Sequence, residues 1–492
     1  MSREGDALPP SLPVPTAHAA IPVRAALPWI FAAGVYLLLL PLGAKLLNDP
    51  DSYWHLAVAR WIVEHRAFPT IDPFSHTLPG AHWIAFEWLS EMIYAAAHAI
   101  AGWPGVIVVA AAAIALAFGL LMHFLLQRLD IVPALIMGLA AVVLTAPHML
   151  ARPHVLVLPV MVAWVGALVG AVDRRASPPF VFLPLIVLWA NLHGSVAIGV
   201  AFIAPAALEA LLQTPRPAWR KTAQQWFLLA VLAVVAASLT PYGPQILLAP
   251  ISTLSLGSAL SIIGEWKPQD FGKLGAFEAI LLLGVGFALL RGLTLPPVRV
   301  VVVLGLLHLA LSQSRHADLL ALLAPLYLAQ PLAGQLNRRA DADSGIAAPR
   351  LISAALALAT LAATAFALVR DVAPAARHTP AAAVSATGLA QAGPVFNDYI
   401  FGGYLIHAGI APFIDGRGEL YGRTLILRHH NAITLQNVPD LLRLLDEYRI
   451  AATLLTPATP AVALLDRLPG WQRVYADETA VVHKRRVPAE AR

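Results

Sequence analysis

The sequence predicts an all-α polytopic membrane domain, with about 11 transmembrane helices, followed by a water-soluble α/β domain. Three observations predict it. First, 59% of the 492 residues are hydrophobic and 12% are charged, against roughly 25% charged in soluble domains. Second, uncharged stretches recur at about the 20 residues a helix needs to cross a bilayer. Third, charge is uneven: residues 375–492 carry 12 Lys/Arg and 10 Asp/Glu, and the preceding 374 residues only 21 and 18. The charged tail is long enough to bury a small core. The chain has no cysteine, which excludes disulfides, thiol nucleophiles and Cys-ligated metal centres. Its net charge of +5 is spread over short loops, so nucleic acid is not an expected partner.

Residues 1–27, rich in Pro and Ala, read as a disordered cytoplasmic tail. The first apolar stretch, 28–47, is too long for a signal-peptide core and reads as a retained anchor. Ten more follow near 105–127, 131–147, 154–171, 179–192, 195–212, 224–240, 275–290, 298–312, 316–332 and 350–370, so the membrane domain covers 28–370. In residues 375–492, short strand-like runs lie within 395–406, 411–417, 451–457 and 471–477, and 437–448 reads as an amphipathic helix.

Two kinds of loop alternate. Basic loops carry Arg128; Arg174 and Arg175; Arg216, Arg220 and Lys221; Arg291 and Arg299; Arg338 and Arg339. The others carry compact polar motifs: DPDSYWHL (49–56), FEWLSE (86–91), APHMLARPH (146–154), NLHG (191–194), TPYG (240–243), GEW (264–266) and SQSRHAD (312–318). The positive-inside rule puts the basic loops in the cytoplasm. Every polar motif, the large first loop 48–104 and the C-terminal domain then face the other side. This topology requires 84–101 and 245–262 to lie along the outer surface rather than cross. The spacing of Glu87, Glu91 and His98 supports that for the first segment, since it draws a polar stripe on an apolar helix.

The first outer loop carries the most chemistry. Asp49 and Asp51 follow the anchor, and a helix is expected from about Ser52 to about His65. Asp51 and His55, four apart, share a face. Trp54, Val58, Trp61 and Ile62 form an apolar band suited to the membrane interface. The placement suits a general base acting on a lipid-linked substrate; it equally suits an Asp51 that caps the helix.

The run Asp51-Ser52-Tyr53-Trp54-His55 resembles the first acidic motif of the GT-C membrane glycosyltransferases, in the D-x-aromatic-aromatic-His form of oligosaccharyltransferase catalytic subunits. Together with DPFSHT (72–77), FEWLSE, WANLHG, NDYIFGGYLI and FIDGRGELYG, the wider order of motifs resembles that of bacterial GT-C-like proteins. The resemblance implies a multi-span bundle in the bacterial inner membrane with a periplasmic C-terminal domain. It implies a polyprenyl-phosphate-linked sugar as donor, a lipid, glycan or protein acceptor, and transfer with inversion. On this reading Asp51 is the acid that activates the acceptor, with Asp49 as runner-up. Glu87 stands where protein-mannosyltransferase-like members place a second acid. The tryptophan-rich motif that reads an asparagine sequon is absent, so both sugar and acceptor stay open.

A sugar leaving a lipid phosphate passes through an oxocarbenium-like state, and cations stabilise the departing phosphate. Arg152, His154, Arg315 and His316 are the candidates for phosphate binding, since guanidinium can give phosphate two parallel hydrogen bonds. Interfacial snorkelling is the alternative for each, and accounts fully for Lys45. His55, Asn191, His193 and Glu265 are candidate cavity residues. The outer histidines and acids could bind a divalent metal, though none has the spacing of an H-E-x-x-H site.

A transporter is the main competing class, but transporters place ionisable groups near mid-membrane. Here Glu209, Glu278 and Asp318 fall near span ends, with only His308 approaching mid-span. A polysaccharide ligase or polymerase would use the outer Arg and His residues without an acidic base. A non-catalytic scaffold would need none of them.

Overall fold

The computed structural model describes residues 21–262, 264–336, 347–348 and 350–486; residues 1–20 of the expected tail lie outside them, as do Arg338 and Arg339, while 23–27, read as part of that tail, already belong to the first helix, which starts at Val23. Among the described residues six helices are long and apolar enough to cross a membrane: Val23–Leu46, Trp88–Leu126, Ile131–His148, Pro153–Asp173, Val196–Gln213 and Ser314–Gln335. Shorter apolar helices span Phe180–Leu192, Pro297–Ser312 and Ile352–Leu368. Trp219–Ala237 and Ala276–Arg291 are helical as well.

The bundle core is aliphatic and small-residue rich. Gly119 shows why: a Cβ there would lie 3.0 Å from Ala32 Cβ and 3.3 Å from Pro28 O. Bare glycine lets the first helix and Trp88–Leu126 approach closely, the packing that drives helix association in lipid.

The segment 84–101 does not stand apart from the following span. Both belong to the 39-residue run Trp88–Leu126, broken by non-helical Ala101 and by Gly102 at φ 62. Pro104, two residues on, cannot donate a backbone hydrogen bond, so the break falls where the sequence permits it. Segment 245–262 is three short pieces, Gly243–Leu248, Ala249–Leu254 and Gly257–Ile262, each far shorter than a crossing helix.

The helix ends sort by charge. At one end Arg128 Nε donates to Asp173 Oδ2 (2.8 Å), and Arg299 joins Asp173 Oδ1 (2.5 Å) to Glu209 Oε1 (2.8 Å). These are the ends next to basic loops. The polar motifs meet at the opposite end, under the C-terminal domain.

That domain holds a four-stranded sheet in the spatial order Val395–Asn397, Ala452–Leu455, Val481–Arg485, Trp471–Ala476. The first pair is parallel and the others antiparallel. Residues 411–417 form no strand beyond one bridge, Val395 to Pro412. Instead Asn397 captures them: its Oδ1 accepts from Phe413 N (2.8 Å) and its Nδ2 donates to Ile414 O (2.8 Å). The helix read over 437–448 spans Val438–Glu447, with Asn437 capping it by accepting from Asp440 N at 3.1 Å.

A second hydrophobic core fastens this domain to the first outer loop. Trp54, Val58 and Ile62 pack there with Trp83, Phe413, Ile414 and Tyr421. Their apolar band is therefore buried under the C-terminal domain instead of lying in the membrane interface. The loop and the domain each supply apolar area that the other covers.

Candidate active site

The site starts from the turn after the first helix. Asp51 N donates to Asp49 Oδ1 (3.1 Å), and Asp51 O accepts from Trp54 N and His55 N as the helix Ser52–His65 begins. The Asp51 side chain makes no capping hydrogen bond, so its carboxylate is not spent on the helix end.

It faces Arg152, which precedes the helix Pro153–Asp173. The chain there is pinned on both sides, by Ala151 N donating to Leu46 O (2.7 Å) and Tyr94 OH to Arg152 O (3.0 Å). The Arg152 guanidinium grips fully buried Asp49 through Nε and Nη2. Nη2 also lies 3.3 Å from Asp51 Oδ2, and Nη1 donates to Glu265 Oε2 at 2.7 Å. The other oxygen of Glu265 accepts from Arg315 Nη1 at 3.1 Å, and Arg315 stacks 4.3 Å above the Trp266 ring.

The environment separates the two aspartates. Burial favours the neutral form of Asp49, but the charge and hydrogen bonds of Arg152 outweigh it and hold that carboxyl below its ordinary value. Burial, then the adjacent Asp49 charge, push Asp51 up to about 7 despite Arg152. One group is a fixed anion and the other can exchange a proton near neutrality, the division of labour expected of acid–base sites.

Beside them lies a second group. His55 Nδ1 is 3.2 Å from Glu91 Oε1 and 3.8 Å from Glu87 Oε2. Burial lowers the His55 pKa, but the Glu91 hydrogen bond and the charges of Glu87, Glu91 and Asp51 outweigh it and leave it raised. Glu87 Oε1 is 2.9 Å from His193 Nε2, whose charge and hydrogen bond overcome burial and take Glu87 down to about 2. His193 Nδ1 is in turn 2.9 Å from Ser195 Oγ. His55, Glu87 and Glu91 each offer one ligand atom, all within 4.8 Å of one another. Glu91 Oε2 is buried without a partner among the described residues. One imidazole and two carboxylates suit a divalent cation.

His154 Nε2 lies 3.8 Å from Asp318 Oδ2 and 3.3 Å from His148 O. His316 turns its ring edge toward Trp266, centroids 6.1 Å apart. Asn191 uses its side chain within the protein, accepting from Trp88 Nε1 (3.0 Å) and donating to Val187 O (2.8 Å) and Leu239 O (3.0 Å). It locks a helix end. Lys45 is exposed and outside the network.

The structure thus brings Asp49, Asp51, Arg152, Glu265 and Arg315 into one connected group, with His55, Glu87 and His193 alongside. Sequence reasoning did not place Glu91 in the site, although its four-residue spacing from Glu87 was visible. It also missed the aspartate beside His154 and the C-terminal turn at Asp415–Arg417, whose partners lie hundreds of residues away.

No protein-family profile matches the chain, and no curated protein matches it by sequence. Its fold does match solved structures. The apo oligosaccharyltransferase of Archaeoglobus fulgidus superposes with a TM-score of 0.53 at 12% identity, over 88% of this chain and 69% of that one. The archaeal oligosaccharyltransferase AglB of the same organism, in complex with an inhibitory peptide and a dolichol-phosphate, gives 0.54 at 12% identity over the same shares. ArnT from Cupriavidus metallidurans, in the apo state, gives 0.48 at 15% identity over 93% of this chain and 98% of that one. On the two archaeal structures, the chain shares the fold of those oligosaccharyltransferases: a bundle of apolar helices carrying a C-terminal domain with a small sheet.

Proposed function

We propose that this protein is a membrane glycosyltransferase that moves a sugar from a polyprenyl-phosphate carrier to a hydroxyl of a lipid, glycan or protein. It does so at the outer face of a bacterial inner membrane, with its C-terminal domain in the periplasm. The observation that carries this reading is the Asp49–Arg152–Asp51 group, buried at Asp49 and half-buried at the other two, which keeps one carboxylate ionised and tunes its neighbour to about 7. The solved relative of similar fold that binds a dolichol-phosphate supports the lipid-phosphate class.

Asp51 takes the proton from the acceptor hydroxyl. The oxygen forms its bond to the anomeric carbon as the carbon–phosphate oxygen bond breaks, and that electron pair stays on the leaving phosphate. A single displacement inverts the anomeric centre. Arg152 and Arg315, with His154 and His316 behind them, stabilise the phosphate. Glu265 bridges both guanidiniums as a phosphate would, so an arriving donor takes its place. Glu87, ionised and held by His193, binds sugar or acceptor hydroxyls. A divalent cation held by His55, Glu87 and Glu91 would supply further positive charge to the leaving group.

Mass spectrometry of lipids, surface glycans and glycoproteins from cells with and without the protein tests this. A sugar missing from one recipient in the deletion supports the proposal. Unchanged glycans, together with solute flux in proteoliposomes, would replace it with a transporter.

A further inference from the structure

Residues Asp415, Gly416 and Arg417 lie in the C-terminal domain, yet Gly416 meets the aspartate turn. Gly416 packs so tightly that a Cβ there would overlap the Asp51 carboxylate and lie 3.0 Å from Trp54 Nε1. Gly403 repeats the pattern: its Cβ would fall 3.3 Å from Trp54 Cδ1 and collide with Pro50 O. Two bare backbone surfaces thus close over residues 50–54, which only glycine allows.

What holds them there is a buried guanidinium. Arg417 is 1% exposed. Its Nε and Nη2 donate to the two oxygens of Asp415 (2.8 and 2.7 Å), and its Nη1 donates to Asp72 Oδ1 (2.6 Å) in the first outer loop. Tyr421 OH completes Asp415 at 2.5 Å, and the Trp83 ring lies 4.8 Å beneath the guanidinium. The bidentate geometry is one that Lys cannot reproduce.

We propose that the Asp415–Arg417 turn is a wall of the Asp51 site, and that Arg417 is a positioning residue holding that wall against the carboxylate by tying Asp415 to Asp72. The wall shields one side of Asp51 from water and fixes its orientation, leaving its open side toward Arg152. The C-terminal domain is then part of the reaction chamber. This rests on the assignment of Asp51 as base, but the wall can be measured without it.

The test uses the full chain in lipid nanodiscs. A water-soluble carbodiimide labels carboxyls, and mass spectrometry reads Asp51 against exposed Asp446. In Arg417→Gln the Asp51/Asp446 ratio rises several-fold; in Arg428→Ala, at a distant surface pair, it stays at the wild-type value. Turnover of a polyprenyl-phosphate sugar falls about 100-fold in kcat for Arg417→Gln, the usual cost of about 1 Å of misplacement. Donor KM holds, and Arg417→Lys recovers part of the loss. Should Arg417→Gln fail to fold, Gly416→Ala keeps every Arg417 bond and displaces the carboxylate, lowering kcat while the melting temperature holds. Wild-type labelling in a folded Arg417→Gln protein, or full kcat in Gly416→Ala, overturns the wall. No turnover by the wild type, with the labelling change present, removes the transferase reading and leaves the wall standing.

Discussion

The proton economy of Asp51 gives a prediction with a slope. Burial and Asp49 raise this carboxyl from 3.8 to about 7, and a base acts only in its ionised form. Activity must therefore rise with pH through about 7. The ionised fraction is about 90% at pH 8 and about 1% at pH 5, so kcat/KM falls by about 90-fold across that range. The assay is the initial rate of sugar transfer in proteoliposomes buffered at each pH. Asp51→Asn removes the limb and costs about 10²- to 10⁴-fold, the usual worth of a positioned base. Asp49→Asn shifts the limb to lower pH, because it removes a negative neighbour and frees Arg152 for Asp51. A limb near 4, a flat profile from pH 5 to 8, or full activity in Asp51→Asn would each show that another group takes the proton.

Glu265→Gln removes the anion that competes for Arg152 and Arg315. Undecaprenyl phosphate, titrated without acceptor, should bind about tenfold tighter, the value of one charge-assisted hydrogen bond; equal or weaker binding refutes the competition. Mn²⁺ titrated into the purified protein and followed by electron paramagnetic resonance should show a bound fraction that Glu91→Gln abolishes. Arg299→Ala strands Asp173 and Glu209, costing about 3–5 kcal/mol, and should lower the melting temperature in detergent; an unchanged transition counts against the buried triad. Alkaline phosphatase fused after Arg486 should be active, and fused after Arg175 inactive, with the reverse pattern inverting the topology.

The helix Ser52–His65 was legible because local chemistry announces it: two aspartates, then an apolar spacing that only a helix puts on one face. The separation of basic from polar loops was equally readable, since it reflects a bilayer constraint that acts on each loop alone. What the apolar band of that helix would pack against was not, because Trp54, Val58 and Ile62 suit a lipid interface and a protein core equally well. The strand Val481–Arg485 escaped notice because its last three residues are His, Lys and Arg, which hide the alternation. Conversely 411–417 looked strand-like, yet Asn397 takes Phe413 and Ile414 into side-chain hydrogen bonds in place of a ladder. Arg417 and Asp72 are 345 positions apart, and no periodicity connects them.

That separation has a consequence for how the protein is made. Asp49 and Asp51 emerge from the ribosome long before Arg417, which is tied to Asp72 across 345 positions. Until the Asp415–Arg417 turn has folded over residues 50–54, the nascent chain lacks the wall proposed for the Asp51 carboxylate. On the proposed reading, competence waits for that turn, and a chain stalled at residue 390 should insert normally yet stay inert in the transfer assay.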